Sequence, residues 1–220
     1  MKTRKKRLRT GKFLNLSVEF VRLMHLFYHG DHYNQARTVI FKEVKTRKHA
    51  MAATITNVKV QYLSPNVFGS SLGQIIYTPK ESEREPTLQS DSFKFYGGIA
   101  LMNIKNVFEL GICTFNQREL ETDQLEQHAL TQELLFAIDG DFIMPVAPII
   151  QKSGESWPDL DHLVAIRVRM GEGVVFNDGI WHWAPFPLKK SSSVIVGFEK
   201  DTADKDLVIR DLDSRIVMEQ

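Results

Sequence analysis

The chain has 220 residues, 43% hydrophobic and 25% charged, an ordinary globular composition long enough for one large β domain or two small ones. No apolar run approaches the ~20 residues of a membrane-spanning helix. A single cysteine, Cys113, excludes an internal disulfide and points to a reducing, cytoplasmic setting.

The net charge of +1 hides an uneven distribution: residues 1–50 carry 13 Lys/Arg against 3 Asp/Glu, the remainder 15 against 24. The basic opening "MKTRKKRLRTGK" has the composition of an arm for nucleic acid or a membrane surface. As a signal peptide it fails, because "FLNLSVEFVRLMHLF" is interrupted by Glu19 and Arg22 and lacks a small-residue cleavage site. As a mitochondrial presequence it fits only in its arginines and scarce acids. Residues 14–28 have the apolar spacing of an amphipathic helix. His25, His29, His32 and His49 are expected on helical or disordered surface. The preferred reading makes residues 1–50 a basic extension, upstream of a natural start at Met51 or disordered, with 51–220 as the functional domain. An appended extension is the second choice.

From Met51 the pattern becomes short β segments. "NVKVQYL" alternates Val58, Val60 and Tyr62 with polar residues, the period of a half-buried strand. "SPNVFGSSLGQII" predicts a short helix, with Ser64 as N-cap and Pro65 at its first position. Residues 78–92 read as an exposed loop. "VFELGICTF", "LLFAI", "DFIMPVA", "HLVAIRVR", "GVVFN", "SVIVGFE" and "DLVIRDL" follow, each Val/Ile/Phe-rich and bounded by turn residues. Asp139-Gly140, between two apolar runs, predicts a β-hairpin. Seven or eight strands at even spacing predict one antiparallel all-β domain with only short helices.

Two segments carry candidate chemistry. In "LEQHALTQELLFAIDGD", Glu126-x-His128 places a carboxylate and an imidazole on one face of an extended chain, with Glu133 and Gly140 following. Such a set suits a divalent metal or acid–base work, or it is a solvated loop before a buried strand. In "GEGVVFNDGIWHWAPF", Gly171, Asn177-x-Gly179 and His182 stand at turn spacing, and His182 lies between Trp181 and Trp183. Alone, His182 reads as a core histidine and the tryptophans as packing. Arg118 is a candidate for bidentate contact with a substrate carboxylate, with a surface ion pair as the competing reading. His162 is expected to be exposed. Arg167 and Arg169 are expected on the face opposite the core.

Together these segments resemble the two motif blocks of the cupin superfamily, with Glu126 in place of the first histidine and Asn177 in place of a proline. "VKVQYLSPNVFGSSLGQII", "LEQHALTQELLFAIDGD" and "MGEGVVFNDGIWHWAPFPL" look more closely like the ureidoglycolate lyase family, cupins of allantoin degradation and so of purine catabolism. The resemblance covers about residues 57–212 and is most specific at Glu126-x-His128, Thr131-Gln132 and Gly179-Ile180-Trp181-His182. Residues 1–50 carry none of it. One departure is Glu133, where the family often has an amide.

The resemblance implies a cupin-type jelly-roll β-barrel with Glu126, His128, Glu133 and His182 as metal ligands at its mouth. It also implies a divalent metal ion (nickel being the family's candidate) and a homodimer. The implied activity is that of a carbon–nitrogen lyase cleaving ureidoglycolate to glyoxylate and urea, with Glu133 or Glu126 as general base. The alternatives are a non-catalytic small-molecule-binding cupin, or a metal-dependent cupin enzyme acting on another small hydroxy or keto acid. A nucleic-acid partner is not expected despite the basic extension, because the domain itself is acidic.

Overall fold

The computed structural model of the protein describes residues 54–80 and 82–220. The amphipathic segment 14–28, the four N-terminal histidines and the boundary at Met51 lie outside them. In chain order the strands are β1 (Thr54–Tyr62), β2 (Gly73–Ile76), β3 (Leu88–Ser90), β4 (Phe93–Phe95), β5 (Phe108–Asn116), β6 (Glu121–Gln127), β7 (Glu133–Ala137) and β8 (Phe142–Ala147). There follow β9 (Ile149–Lys152), β10 (Glu155–Pro158), β11 (Val164–Val168), β12 (Gly173–Phe176), β13 (Trp181–His182), β14 (Phe186–Pro187), β15 (Ser191–Glu199) and β16 (Val208–Glu219). The helices described are a 3₁₀ turn at Leu160–His162 and α1 (Thr202–Lys205).

Two sheets do most of the work. One runs β11-β1-β16-β6-β13-β8-β14, and a further β11–β8 pairing closes six of its strands into a ring. The other runs β2-β12-β7-β15-β5. Between the sheets lies a cluster that includes Phe115, Leu135, Phe142, Met144, Ile166 and Phe176. The ring has a second buried face. Cα partners such as Val60↔Ala165, Ala165↔Pro145 and Trp181↔Ala147 share that face. Leu125, Ala147, Ala165, Trp181 and Ile216 are all fully buried and all outside the inter-sheet cluster; they fill the inside of the ring.

This arrangement explains the unbroken apolar run of β8. Phe142, Met144 and Val146 pack between the sheets, while Ile143, Pro145 and Ala147 point into the ring, so all six residues are buried. Strands covered on both faces lose the alternating pattern that a one-sided strand shows. The expected all-β jelly-roll barrel with short helices is thus present.

Several local expectations are corrected. Asp139-Gly140 does not make a hairpin: β7 pairs with β12 and β15, and β8 with β11, β13 and β14. The turn instead carries the chain from one sheet to the other, because β8 needs cover on both faces. Asp139 Oδ1 accepts the Ser193 N–H at 2.8 Å. A Cβ on Gly140 would lie 2.6 Å from Ser192 Oγ and also crowd the end of the Lys189 side chain, so a larger residue there would force both side chains to shift. Residues 64–72 form hydrogen-bonded turns rather than a helix, with Val67 and Phe68 N–H both donating to Ser64 O at 3.0 and 2.8 Å. The domain is also not wholly antiparallel, since β1 runs parallel to both β11 and β16.

Candidate metal centre

The site forms where the ends of four strands meet. Glu126 sits near the end of β6, and His128 follows directly after it. β13 lies antiparallel to β6 with His182 opposite Glu126. Glu133 opens β7 in the other sheet, opposite Phe176 of β12. The glycine at the second block makes this possible: Gly179 has φ +79°, its N–H donates to His128 O at 2.6 Å, and its carbonyl accepts from Gln127 Nε2 at 2.6 Å. A Cβ there would be strained in φ and would lie 2.7 Å from Ile149. The two motif blocks are thereby fastened together beside the histidines.

His128, Glu133 and His182 are buried, and one ligand atom from each lies within 4.8 Å of the others. Glu133 Oε2 is 2.8 Å from His182 Nε2 and 3.8 Å from His128 Nε2. Glu126 Oε1 lies 3.8 Å from His182 Nε2. Both imidazoles are oriented from behind. His128 Nδ1 donates to Asp206 O at 2.7 Å, and His182 Nδ1 to Ile180 O at 3.0 Å. Each therefore presents Nε2 to the centre, the arrangement that a second hydrogen bond gives metal-ligating histidines. Phe176 stacks on His182 with centroids 4.7 Å apart and planes inclined at 13°, and Phe198 lies tilted at 6.1 Å from His128.

The electrostatics separate the two carboxylates. Burial alone would push His182 down, but the charge and contact of Glu133, with Glu126 and the Ile180 carbonyl, outweigh it and carry His182 up to about 9. Burial likewise acts to raise Glu133, but His182 and then His128 overcome it and hold Glu133 below the usual carboxylate range. Glu126 goes the other way: burial, reinforced by Glu133, lifts it despite His182, His128 and Arg118. A pair of carboxylates driven apart in this way can divide the labour of ligand and proton carrier. Burial first, and the same two glutamates next, raise the Cys113 thiol to about 11, which keeps it protonated and unreactive.

The donor set fits a divalent cation. Bonds of ~2 Å to one ion place neighbouring ligand atoms about 3 Å apart, so Glu133 and His182 already match and His128 needs a small closure. Glu133 Oε2 is buried without a well-directed hydrogen bond, although His182 Nε2 is near. That is the atom a cation would satisfy. Imidazole and carboxylate ligands suit several first-row metals and select none.

Arg118 is neither a surface ion pair nor an open fork. It is half-buried, lies with its guanidinium 3.7 Å over the Phe186 ring, and donates to Pro185 O and Ala184 O at 2.7 and 2.6 Å. Burial brings it down to about 10, partly offset by Glu126, so it borders the site through that carboxylate. Trp181 and Trp183 are core packing, as expected. His162 is exposed beside Asp159. Arg167 pairs with Asp141 and Arg169 with Glu172. The sequence offered no signal for Asp206 or Phe198, which reach His128 only through folding. Phe176 had one, since it closes the apolar run of the second block.

Comparison with known proteins agrees with the motif reading. No curated protein matches the chain. Oxalate decarboxylase from Bacillus subtilis is similar over 48% of this chain and 23% of its own, at 15% identity and TM-score 0.31. Vicilin from Solanum melongena is similar over 48% and 26%, at 13% identity and TM-score 0.33. Vicilin from Corylus avellana gives 47% and 27%, at 10% identity and TM-score 0.32. The chain spans about a quarter of the length of these proteins. The family model for ureidoglycolate lyase matches residues 33–219. It begins upstream of Met51, so part of the region that had shown no resemblance does belong to the match. Because that match takes in most of the sequence, the chain belongs to the ureidoglycolate lyase family.

Proposed function

We propose that this protein is a metal-assisted ureidoglycolate lyase, forming glyoxylate and urea. The observation that carries the reading is the buried convergence of His128, Glu133 and His182, with Glu126 beside them, in a chain of that family. The three residues would hold a divalent cation, nickel being the family's candidate. When bound, the cation supplies Lewis-acid polarisation of a substrate oxygen.

The substrate carbon bears a hydroxyl, a carboxylate and a urea nitrogen. Cleavage removes the hydroxyl proton, breaks the carbon–nitrogen bond as the carbonyl forms, and returns a proton to the leaving nitrogen. Glu126 suits this transfer: it stands outside the three-residue cluster, and its raised affinity for a proton lets one carboxyl both take and give it. Glu133, held ionised by its histidines, suits the ligand role. Arg118 would act on the substrate carboxylate only by releasing the Ala184 and Pro185 carbonyls, so its nearer contribution is to the charge balance of Glu126.

A homodimer is part of the proposal. Phe108, Leu110 and Ile112 are exposed in a row on β5, an edge strand of its sheet, and such an edge invites a second copy. The single cysteine supports a cytoplasmic setting. Among the described residues, no helix is long and apolar enough to cross a membrane.

A second reading has one observation in its favour. Glu133 stands where the family often carries an amide, which favours a metal-dependent cupin enzyme for another small hydroxy or keto acid. The deciding experiment incubates the metal-loaded protein with ureidoglycolate and measures glyoxylate, urea and ammonia. Equal glyoxylate and urea are expected. Ammonia in place of urea would mean hydrolysis, and no product would move the protein to the second reading or to a non-catalytic binding role.

A further inference from the structure

The segment between β15 and β16 bears directly on the metal centre. Asp206 follows α1, and its N–H donates to Thr202 O at 2.8 Å. From this one residue three contacts reach the chain around His128. Its backbone carbonyl accepts the His128 Nδ1–H at 2.7 Å. Its carboxylate accepts the Ala129 N–H on Oδ1 at 2.9 Å and the Leu130 N–H on Oδ2 at 2.7 Å. Next to them, Thr131 Oγ1 accepts the Glu199 N–H at 3.3 Å, and Thr202 Oγ1 donates to Glu199 O at 2.5 Å. Asp206 is itself buried, and a buried polar side chain is costly unless donors of this kind meet it.

We propose that Asp206 is a positioning residue for His128. The carboxylate pins the turn that leaves His128, which holds the imidazole against the Asp206 carbonyl. That contact keeps the proton on Nδ1 and aims Nε2 at Glu133 and His182. His182 needs no such device, because its Nδ1 acceptor, Ile180, lies in the same motif. One loop, remote in sequence from the first block, therefore sets the geometry of half the imidazole pair. The inference rests on the reading of His128, Glu133 and His182 as a cation site.

The test uses the full chain with Asp206→Ala and Asp206→Asn, and Asp159→Ala as a control. Asp159 caps the 3₁₀ turn by accepting the Asp161 N–H at 3.1 Å, so its loss removes a turn carboxylate elsewhere in the fold. Two measurements are made: affinity for Co²⁺ by its visible absorption, and solvent exchange of the His128 Nδ1–H by NMR in the metal-free protein. Asp206→Ala should weaken Co²⁺ binding about 10–100-fold, the range for partners behind a metal ligand, and should speed Nδ1–H exchange. Asp206→Asn keeps one acceptor and should fall between; it also serves if the alanine variant does not fold. Asp159→Ala should change neither measurement. Wild-type affinity and exchange in the Asp206 variants would overturn the proposal, as would an equal loss in the control. If the wild type takes up no Co²⁺, the cation reading fails separately, and the exchange measurement still decides whether Asp206 orients His128.

Discussion

The inside of the six-strand ring and the mouth between the two sheets share strand β13 and are built to opposite rules. Trp181 points into the ring, where Leu125, Ala147, Ala165 and Ile216 surround it with apolar surface and no titratable group is required. One residue on, His182 points to the mouth and meets Glu133, Glu126 and the ring of Phe176. The first environment gains free energy from area removed from water. The second holds two imidazoles and two carboxylates out of water and keeps one buried oxygen without a directed hydrogen bond. Apolar packing and the candidate cation site thus lie on the two faces of one two-residue strand.

The sharpest way to break this comparison is to exchange the losses. Trp181→Ala should cost about 3–5 kcal/mol, the range for large aromatic truncations in a core, and show as a large fall in melting temperature. His182→Ala and His128→Ala should lower the melting temperature less, yet each should abolish cation uptake and turnover together, because two remaining donors leave the site incomplete. If His182→Ala unfolds the protein while Trp181→Ala leaves it stable, the division of labour between the faces is wrong.

A second substitution sharpens the division within the mouth. Glu133→Gln keeps the shape and removes the charge that Glu133 presents to His182 at 2.8 Å. Cation affinity should drop and the His182 proton should be held less tightly. Proton transfer should survive at saturating cation, because Glu126 is untouched. Loss of turnover with full cation occupancy would assign the general base to Glu133 instead.

These contrasts also show what was legible in the sequence. The four residues of the mouth were readable only through the family resemblance of the two blocks taken together. Strand alternation put Glu126 and His128 on one face, and Gly171 and Gly179, both of which have positive φ, marked the turns, but neither brought the two blocks to one place. The barrel class was readable from short apolar runs. The hairpin at Asp139-Gly140 was misread because local turn chemistry says nothing about whether the next strand needs cover on one face or two. The uniform burial of β8 is a tertiary fact, and so is the parallel pairing of β1. Asp206 was silent for the same reason: its three contacts with the His128 turn bridge more than 70 residues.

The pH dependence of cation binding follows from His182. Its proton is held up to about 9 in the metal-free protein, against an ordinary value of 6.5. A folded pKa above the unfolded one means this group's stabilisation is complete below about 6.5 and fades as pH rises through 9. The cation must displace that proton from Nε2, so affinity should rise with pH, by about tenfold per unit for one displaced proton, and level off above 9. The metal-free protein should meanwhile lose stability over the same interval. Calorimetric titration at several pH values, corrected for buffer protonation, checks the slope. An affinity indifferent to pH between 7 and 9 would show that His182 enters the site already neutral, and that Glu133 does not hold its proton.

The smallest expected effect concerns the N-terminal region, which differs from the domain in charge as sharply as the ring differs from the mouth in polarity. Residues 1–32 precede the family match at 33–219, and the basic excess of residues 1–50 contrasts with the acidic remainder. A chain starting at residue 33 should keep the melting temperature, cation affinity and turnover of the full chain. Starting at Met51 removes 18 further residues that the family match includes, and the expectation drawn from the charge break is that this chain also folds as stably. The two truncations therefore separate two boundaries that sequence pattern and family match place differently. Equal melting temperatures for both would put the edge of the folding unit at the charge break. A fall confined to the Met51 chain would extend the domain to residue 33, and a fall already present in the longer one would make the basic segment part of the folded protein.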